Sequence, residues 1–513
     1  MRPGPTPAFP SARPTERRRG LPRFGVVLAA MALLACVPFL SATIASMTDL
    51  PGHIGRYAVM LDGGRSADLA SYYDFTWKLV GNLGVDLTVR ALGWLGAERA
   101  AWLVAAAIAP LTILGMAAVG HALHGRIQPA TVAAACFALA NPLMFGFVNY
   151  SLSFALALLT FAAWIRLRDA PACWTVPLLA IAALATWIAH AMGWGVLVLL
   201  AGGFELERLW RRRSAQALAD ALLRGVPLLP PLILTLAWQS GDHGALMAWG
   251  DSLVTRKVMN WVVMLRGEAK WIDLATPVLI ALACLAAWRR QLIDWRIGTG
   301  AVLIALACLA MPTTMFGSWG ADERIAPAAV IAALLSLRWR GSRRGAIALA
   351  GLASMLFGVR TVMIARDWHR LDAAYASHLA ALELVPAGAR IHAVVLQDRC
   401  HSAWQATAYN HLPSLAIGRR HALVNSQWLL PGAALLTVRA PGDAALMHDP
   451  SQMVDGFDCN GPLAQPLSAK LAQIRGGGWQ YLWVLGTRGH DPWPGAAPVY
   501  ADGNSALYRL PTG

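Results

Sequence analysis

Long apolar runs constrain this chain more than any other feature of its sequence. Between residues 24 and 365 they recur with lengths of about 15 to 25 residues, which is the length that crosses the hydrocarbon core of a bilayer. Of the 513 residues, 57% are hydrophobic and 14% are charged, whereas roughly a quarter of the residues of a soluble protein are charged. The sequence therefore predicts a polytopic α-helical membrane protein.

The apolar runs predict eleven membrane-spanning helices, and the pair that flanks His190 also fits one long bent helix. The run that starts at residue 24 is too long for a signal peptide and lacks a small-residue cleavage site, so it is interpreted as a helix. The Pro- and Arg-rich segment 1–23 is predicted to be a disordered basic tail on the cytoplasmic side. The predicted spans are 24–46, 101–123, 129–146, 149–166, 173–189, 192–206, 225–240, 273–288, 297–311, 324–338 and 345–365.

Clusters of arginine give the orientation. With the N-terminus inside, every cluster lies on the cytoplasmic face, as the positive-inside rule requires. The net charge of +15 is then explained by contact with anionic membrane lipids rather than with nucleic acid. In this orientation the first loop (47–100), the segment 241–272 and the C-terminus lie outside. The clusters are Arg13, Arg17–Arg19 and Arg23; Arg208 and Arg211–Arg213; Arg289 and Arg290; and Arg338, Arg340, Arg343 and Arg344.

After residue 365 the sequence stops resembling a membrane span. An amphipathic helix pattern at 367–385 precedes strand-like runs separated by loops rich in Gly, Pro, Asn and Asp. We expect a C-terminal extracytoplasmic α/β domain over 366–513, following the transmembrane domain 24–365. In that oxidising compartment Cys400 and Cys459 are predicted to form a disulfide, and a metal site with His401 or Asp458 is the alternative. The strand-like runs are 390–396, 435–439, 481–485 and 506–510.

The segment Asp49-Leu-Pro-Gly-His53-Ile-Gly-Arg56 follows the first predicted span. It places a carboxylate, an imidazole and a guanidinium within eight residues, a set that can take a proton from a hydroxyl and hold a phosphate. Simpler interpretations remain for each residue. Asp49 also fits a helix cap, His53 a solvated loop residue, and Arg56 a side chain that extends to lipid headgroups.

Three more polar features fall on the same predicted outer face, where polar residues near the membrane are costly and therefore informative. They are the turn 141–151, with its Asn141-Pro and Asn149-Tyr-Ser, the single His190, and the sequence Asp322-Glu323-Arg324 at the start of the tenth span. The alternatives are that the turn is structural, that His190 only marks a surface turn, and that Arg324 pairs with a neighbouring acid.

The layout resembles the GT-C superfamily of integral-membrane glycosyltransferases. The resemblance rests on Asp49 after the first helix with the following Pro, Gly-His and Arg, on the long first loop, on the number of spans and on the outer C-terminal domain. It implies a polyprenyl-phosphate or polyprenyl-pyrophosphate sugar donor, transfer on the non-cytoplasmic face, and a glycan, lipid or protein acceptor. Many members carry adjacent acidic residues in the first loop. Here Thr48 and Leu50 flank Asp49, so the sequence requires no cofactor, and a divalent metal stays an open alternative.

Chemistry assigns roles to these residues within that reaction. Asp49 is predicted to be the base, with His53 as a catalytic partner. The residues Arg56, His190, Asp322, Glu323 and Arg324 are predicted to bind substrate. A single base opposite the leaving phosphate gives inversion, whereas retention needs a second, nucleophilic carboxylate. Asp62, Asp68 and Asp74 are the open candidates for that second role.

Other classes of membrane protein predict different patterns. A secondary transporter or flippase, the main alternative, calls for charged residues in mid-span and two related halves, and neither pattern is evident. An acyltransferase or ligase would use His190 or His53, and a structural or assembly role is the remaining alternative. No GxxxxGK[ST] loop occurs, so use of a soluble nucleotide is not predicted. Short, Arg-rich inner loops predict a bacterial inner (cytoplasmic) membrane, with the active site on the periplasmic side.

Overall fold

The computed structural model of the protein describes most of the chain. The predicted tail 1–23, the pair Cys400 and Cys459, and the alternative metal ligands His401 and Asp458 lie outside the described residues, so those predictions stay as they are. The described residues are 24–239, 247–250, 252–267, 269–315, 318–398, 404, 408–428, 435–439, 452–457, 474 and 478–511.

Helices dominate the chain as far as residue 380, as expected for runs rich in Ala and Leu. In chain order they are α1 (Phe24–Leu34), α2 (Val37–Leu40), α3 (Leu50–Asp62), α4 (Ala67–Tyr72), α5 (Gly84–Ala91), α6 (Ala97–His124), α7 (Pro129–Ala135), α8 (Asn141–Phe145), α9 (Val148–Arg166), α10 (Ala172–Ala189), α11 (Ala191–Arg212), α12 (Ala215–Gly225), α13 (Leu229–Gln239), α14 (Leu253–Val262), α15 (Lys270–Ala286), α16 (Trp295–Ala310), α17 (Ala321–Leu335), α18 (Arg343–Ala380) and α19 (Leu415–Arg420).

Five helical segments in the described part of the chain are long and apolar enough to cross a membrane, and two shorter apolar segments, Phe24–Leu40 and Trp295–Ala310, accompany them. The eleven spans and their orientation stay predictions. The predicted span 129–146 is divided into α7 and α8, since Pro142 in the first turn of α8 fits the start of a helix and not its interior. The five segments are Ala97–His124, Val148–Arg166, Ala172–Ala189, Ala215–Ala237 and Arg343–Leu384.

The first loop, 47–100, folds into short elements against the membrane helices. Helix α3 has Pro51 in its first turn and ends at Gly63, whose φ of 62° is the left-handed conformation common after a helix. Strand β1 (Tyr73–Phe75) follows α4 and pairs antiparallel with a strand at residues 436–438. The first loop is therefore tied directly to the C-terminal part of the chain.

A mixed six-stranded sheet forms the centre of the C-terminal region, residues 390–509. Its strand β4 (Arg390–Asp398) pairs in parallel with β5 (Leu423–Val424), β7 (Met453–Phe457) and β8 (Tyr481–Leu485), and β10 (Ser505–Arg509) lies antiparallel between β8 and β9 (Tyr500–Ala501). The strand that pairs with β1 is β6 (Leu436–Val438). Four strands of this region (β4, β6, β8 and β10) agree with the predicted strand-like runs within two residues. The remaining strands are β2 (Gln291–Ile293) and β3 (Leu337–Trp339).

Helix α18 links the two parts of the chain. It runs without a break from Arg343 to Ala380 and so joins the predicted span 345–365 to most of the predicted amphipathic helix 367–385. Its N-cap is Ser342, whose hydroxyl accepts a hydrogen bond from the Gly345 N–H. A continuous helix of this kind holds the C-terminal region in a fixed direction relative to the membrane helices.

Candidate active site

Asp49 lies at the N-cap position of α3, but its side chain does not cap the helix. Its backbone has φ −90° and ψ −14°, and the carboxylate accepts no hydrogen bond from the first turn. The simple interpretation of Asp49 as a helix cap therefore does not describe the structure. Its carboxylate remains available to other groups, while its backbone N–H donates to the Phe145 carbonyl at 2.9 Å.

The turn between α8 and α9 packs directly against Asp49. Gly146 has φ 104°, and a Cβ added there would lie 2.8 Å from the Asp49 backbone nitrogen and 2.9 Å from its Cβ. Only glycine allows both this conformation and this close approach. The Gly-bearing turn seen in the sequence therefore packs against the backbone and Cβ of Asp49.

A cavity of about 120 Å³ opens beside Asp49, and it brings together five of the residues predicted from the sequence. Asp49, His53 and Arg56 come from α3 and its N-cap, His190 from the break between α10 and α11, and Arg324 from the first turn of α17. The other residues that line the cavity are Asn82, Phe147, Val148, Asn149, Tyr150, Ser318 and Trp428.

Burial changes the acidity of Asp49. It raises the pKa of the carboxyl group to about 7, although the positive charge of Arg324 acts in the opposite direction. A carboxylate with a pKa near the working pH is an effective general base, because it is partly ionised and still basic enough to take a proton. The surroundings of Asp49 thus suit it for proton abstraction at neutral pH.

Arg56 is held in place by Asp86, a partner that the sequence did not reveal. Its guanidinium Nη2 lies 2.8 Å from Asp86 Oδ1, and both side chains are buried. Asn149 donates from Nδ2 to Asp86 Oδ2 at 3.2 Å and accepts from the Val85 N–H at 2.6 Å. Asn149 and α5 therefore orient Arg56. The sequence of α5 shows only an amphipathic pattern, which does not indicate that the carboxylate of Asp86 faces an arginine.

Arg324 is buried without an acidic partner within ion-pair distance among the described residues. Its Nη2 donates to Ser318 Oγ at 2.8 Å and to the Trp319 carbonyl at 2.9 Å, and its guanidinium stacks on the Phe147 ring at 3.8 Å. Its Nε finds no hydrogen-bond partner in the described structure. A buried cation of this kind beside a cavity favours an anionic ligand.

The pKa values of the two histidines of the cavity are lowered, which favours their neutral forms. Burial, reinforced by Arg56, His411 and Arg324, lowers the pKa of His53 well below its usual value. Burial, with a contribution from Arg324, lowers the pKa of His190 to about 3. The Nδ1 of His190 accepts the Met192 N–H at 3.1 Å, so the proton of the neutral ring is on Nε2 and can be donated to another group.

The structure does not place Asp322 and Glu323 in the cavity. Asp322 pairs with Lys257 of α14 at 2.7 Å, and Glu323 accepts a hydrogen bond from Asn141. Successive residues of an α-helix point about 100° apart, so three neighbours on α17 cannot all face one cavity. Of these three residues, Arg324 lines the cavity, and the substrate contacts predicted for the cluster stay predictions.

Several residues that build the site carried no signal in the sequence. Asn82 and Ser318 lie in loops, and Trp428 comes from the C-terminal region.

In the described part of the chain, no three side chains of His, Cys, Asp or Glu come close enough together to hold a metal ion. Among the described residues, the cavity is thus lined by one carboxylate, two arginines, two histidines and three aromatic rings, together with Asn82, Val148, Asn149 and Ser318.

The fold and the cavity together define a multi-pass membrane protein with a buried polar site between its first loop and its membrane helices. No protein-family model matches the chain, and no curated protein sequence matches it.

Solved structures that share its fold include two of one protein. The structure of ArnT from Cupriavidus metallidurans bound to undecaprenyl phosphate has a TM-score of 0.51 and 12% identity, covering 95% of this chain and 98% of that one. The same protein in the apo state has a TM-score of 0.50 and 12% identity, covering 95% and 97%. At 12% identity this likeness shows the fold alone, and it agrees with the layout predicted from the sequence.

Proposed function

We propose that this protein is an integral-membrane glycosyltransferase that moves a sugar from a polyprenyl-phosphate donor to an acceptor at the outer face of a bacterial inner membrane. The observation that carries the proposal is the meeting of Asp49, Arg56 and Arg324 in one cavity with two neutral histidines. The shared fold with ArnT, of which one structure contains undecaprenyl phosphate, supports the class of donor.

Each group has a role in this reaction. Asp49 takes the proton of the acceptor hydroxyl as the bond between the sugar and the phosphate breaks. Arg324, which has no ion-pair partner among the described residues, binds the departing phosphate, and Arg56, which is paired with Asp86, offers a further hydrogen-bond donor in the same cavity. His190 donates a hydrogen bond from Nε2 to the phosphate or the sugar, and His53 acts beside Asp49. The negative charge that develops on the phosphate is thus stabilised where it forms.

Asp49 is the only acidic residue among the described residues that line the cavity. The candidates for a second, nucleophilic carboxylate lie elsewhere: Asp62 ends α3, a Cβ at Gly388 would lie 2.8 Å from an oxygen of Asp68, and Asp74 pairs with Arg439 at 3.1 Å. A single carboxylate supports a single displacement, and therefore inversion at the sugar carbon.

Donor consumption tests the proposal. The purified protein in lipid vesicles is given undecaprenyl-phosphate-linked hexoses, pentoses and N-acetylhexosamines labelled in the sugar, with and without a bacterial envelope lipid and glycan extract. We expect one donor to lose its label to the extract or to water, and Asp49→Asn to slow this step by about a thousandfold or more, as the loss of a base requires.

Asp62→Asn is the matched control, since it removes a carboxylate from the same helix but outside the cavity. Near-normal activity of Asp49→Asn would remove Asp49 from the mechanism. A wild-type protein that consumes none of the donors overturns the glycosyltransferase. Label that crosses the vesicle membrane still attached to its lipid would instead indicate a flippase.

A further inference from the structure

The N-terminal half of α3 packs against the C-terminal region. The two glycines of the Asp49–Arg56 segment form the contact, because a Cβ at Gly52 would lie 2.7 Å from Trp428 Cζ3, and one at Gly55 would lie 2.7 Å from the Ser414 carbonyl oxygen. Residues three apart share one face of a helix. Both glycines therefore allow the C-terminal region to approach the backbone of α3 at the level of its catalytic side chains.

Hydrogen bonds fix this contact. The Gln427 side chain donates from Nε2 to the Gly52 carbonyl at 3.0 Å and to Ser414 Oγ at 3.0 Å. Ser414 Oγ in turn lies 2.8 Å from the Ser426 carbonyl, and both serines are fully buried. A satisfied buried network of this kind gives the contact a single geometry.

Two side chains of the C-terminal region reach the reacting groups through this contact. Nε2 of His411 lies 3.6 Å from Asp49 Oδ1, and His411 is 4% exposed. The indole of Trp428 lies between the two imidazoles, with ring centroids 4.5 Å from His411 and 4.9 Å from His53, and it also lines the cavity.

We propose that the active site is composite: His411 positions the Asp49 carboxylate for proton abstraction, and Trp428 closes the cavity over His53. This inference rests on the proposed function for its chemistry. His411 touches the base rather than the substrate and is therefore a positioning residue. Its Nε2 would have to move by about 0.5 Å to come within hydrogen-bond distance of Asp49 Oδ1. Catalytic hydrogen bonds commonly shorten in this way when substrate binds.

The charge balance explains why a positioning group is needed. Asp49 is attracted by Arg324 from the side of α17, and no backbone N–H of α3 holds its carboxylate. A carboxylate with a single attraction rotates toward it. A hydrogen bond from His411 to one oxygen opposes that rotation and leaves the other oxygen free for the acceptor proton. A similar division of roles, with one group orienting and another reacting, is common in acid–base sites.

The first experiment compares His411→Phe, which keeps an aromatic ring beside Trp428 but no N–H, with His411→Gln, which keeps an N–H donor. With the donor that the wild-type protein consumes, we expect His411→Phe to lower kcat about tenfold or more and to change the donor KM by less than about threefold. His411→Gln should recover part of the rate. The matched control is His421→Gln, since His421 also joins the C-terminal region to the first loop, through Ser66 Oγ at 3.0 Å, but lies outside the cavity.

A double-mutant cycle separates positioning from packing. If His411 acts through Asp49, then His411→Phe should not slow the residual rate of Asp49→Asn any further. An additional loss of the same size in both backgrounds would show a structural role and overturn the proposal. So would an equal loss in His411→Phe and His411→Gln.

A measurement without turnover keeps this inference separate from the proposed function. Modification of Asp49 by a water-soluble carbodiimide is followed by mass spectrometry in the wild type, His411→Phe and His421→Gln. We expect a rate at least about threefold higher in His411→Phe alone, because a carboxyl group that loses a hydrogen bond is freer to react. Equal rates in all three proteins overturn the positioning role even if transfer occurs. A change confined to His411→Phe in a protein that consumes no donor leaves the contact established and the glycosyltransferase refuted.

Discussion

Arg324 and Arg360 are both buried on helices of the membrane domain, yet their surroundings differ. The guanidinium of Arg360 is fully used: Nε donates to Asp273 Oδ1 at 2.9 Å, Nη1 to the Leu139 carbonyl at 2.8 Å, and Nη2 to the Leu265 carbonyl at 2.8 Å. Its partner Asp273 is also saturated, since Oδ2 accepts from the Gly267 N–H at 2.9 Å and from the Trp404 indole at 3.1 Å.

Arg324 shows the opposite pattern. It makes two hydrogen bonds to neighbours on the preceding loop, stacks on an aromatic ring and leaves its Nε without a partner in the described structure. A saturated buried arginine stabilises the fold: the hydrogen bonds of Arg360 join α18 to Asp273 of α15 and to the carbonyls of Leu139 and Leu265. An unsaturated one beside a cavity carries a cost that a bound anion would relieve. We therefore infer that Arg360 serves the fold and that Arg324 serves the substrate.

The largest expected effect comes from exchanging each arginine for alanine. Arg360→Ala leaves Asp273 buried without its cation and should cost about 3 to 5 kcal/mol of stability, so that little folded protein is recovered. Arg324→Ala should leave the melting temperature almost unchanged and raise the donor KM by about ten- to a hundredfold, the loss expected for a charged hydrogen bond to phosphate. Thermal unfolding and donor titration measure the two quantities. A similar loss of stability in both variants would contradict the different roles inferred for the two arginines.

The next largest effect is the pH dependence that Asp49 gives to the transfer rate and to the stability of the protein. If ionised Asp49, with a pKa of about 7, is the base, kcat/KM should rise about tenfold between pH 6 and pH 8. Stability should change in the other direction. The folded-state pKa lies above the ordinary value of 3.8, so the folded protein holds a proton that the unfolded chain releases, and its stability falls as pH rises through that window.

Asp49→Asn is the control for this pH dependence. The asparagine carries no titrating proton, so the variant should gain melting temperature relative to the wild type as pH rises from about 4 to about 7, and the difference should then stay constant. Arg324→Ala should increase the wild-type effect, because it removes a positive charge that favours the carboxylate. A flat rate profile over this range would show that Asp49 titrates elsewhere or is not the base.

The sequence predicts the membrane side of this site better than its C-terminal side. The sequence predicts His190 and Arg324 on the same face as Asp49, because the arginine clusters indicate an orientation of the spans independently of any motif. The orientation of the spans does not tell which residues of α17 face the cavity. The sequence prediction therefore groups Asp322 and Glu323 with Arg324, although successive side chains of a helix point in different directions. Helical breaks inside an apolar run, such as the one between α7 and α8, are equally hidden when both parts stay hydrophobic.

The contact of His411 and Trp428 with α3 depends on how distant parts of the chain dock, and no local pattern encodes that. Polar groups from the C-terminal region reach Asp49 across more than 350 residues of sequence. In the sequence, the two glycines at positions 52 and 55 are the available indication of this contact. Paired small residues on one face of a helix indicate that another backbone or ring packs closely there, but they do not say which one.

The smallest expected effect sharpens this last point by comparing a glycine of α3 with one of α18. A Cβ at Gly52 would lie 3.3 Å from His411 Cβ as well as against the Trp428 ring, whereas a Cβ at Gly351 meets nothing within 4 Å. Gly52→Ala should therefore displace the indole and lower kcat about threefold to tenfold, at a cost of about 1 to 3 kcal/mol from overpacking. Gly351→Ala, on the helix that carries Arg360, should leave kcat unchanged and stabilise slightly, since alanine favours a helix by about 1 kcal/mol over glycine. If both variants keep full activity, the approach of the C-terminal region to α3 serves packing alone, and the cavity works without the ring that closes it.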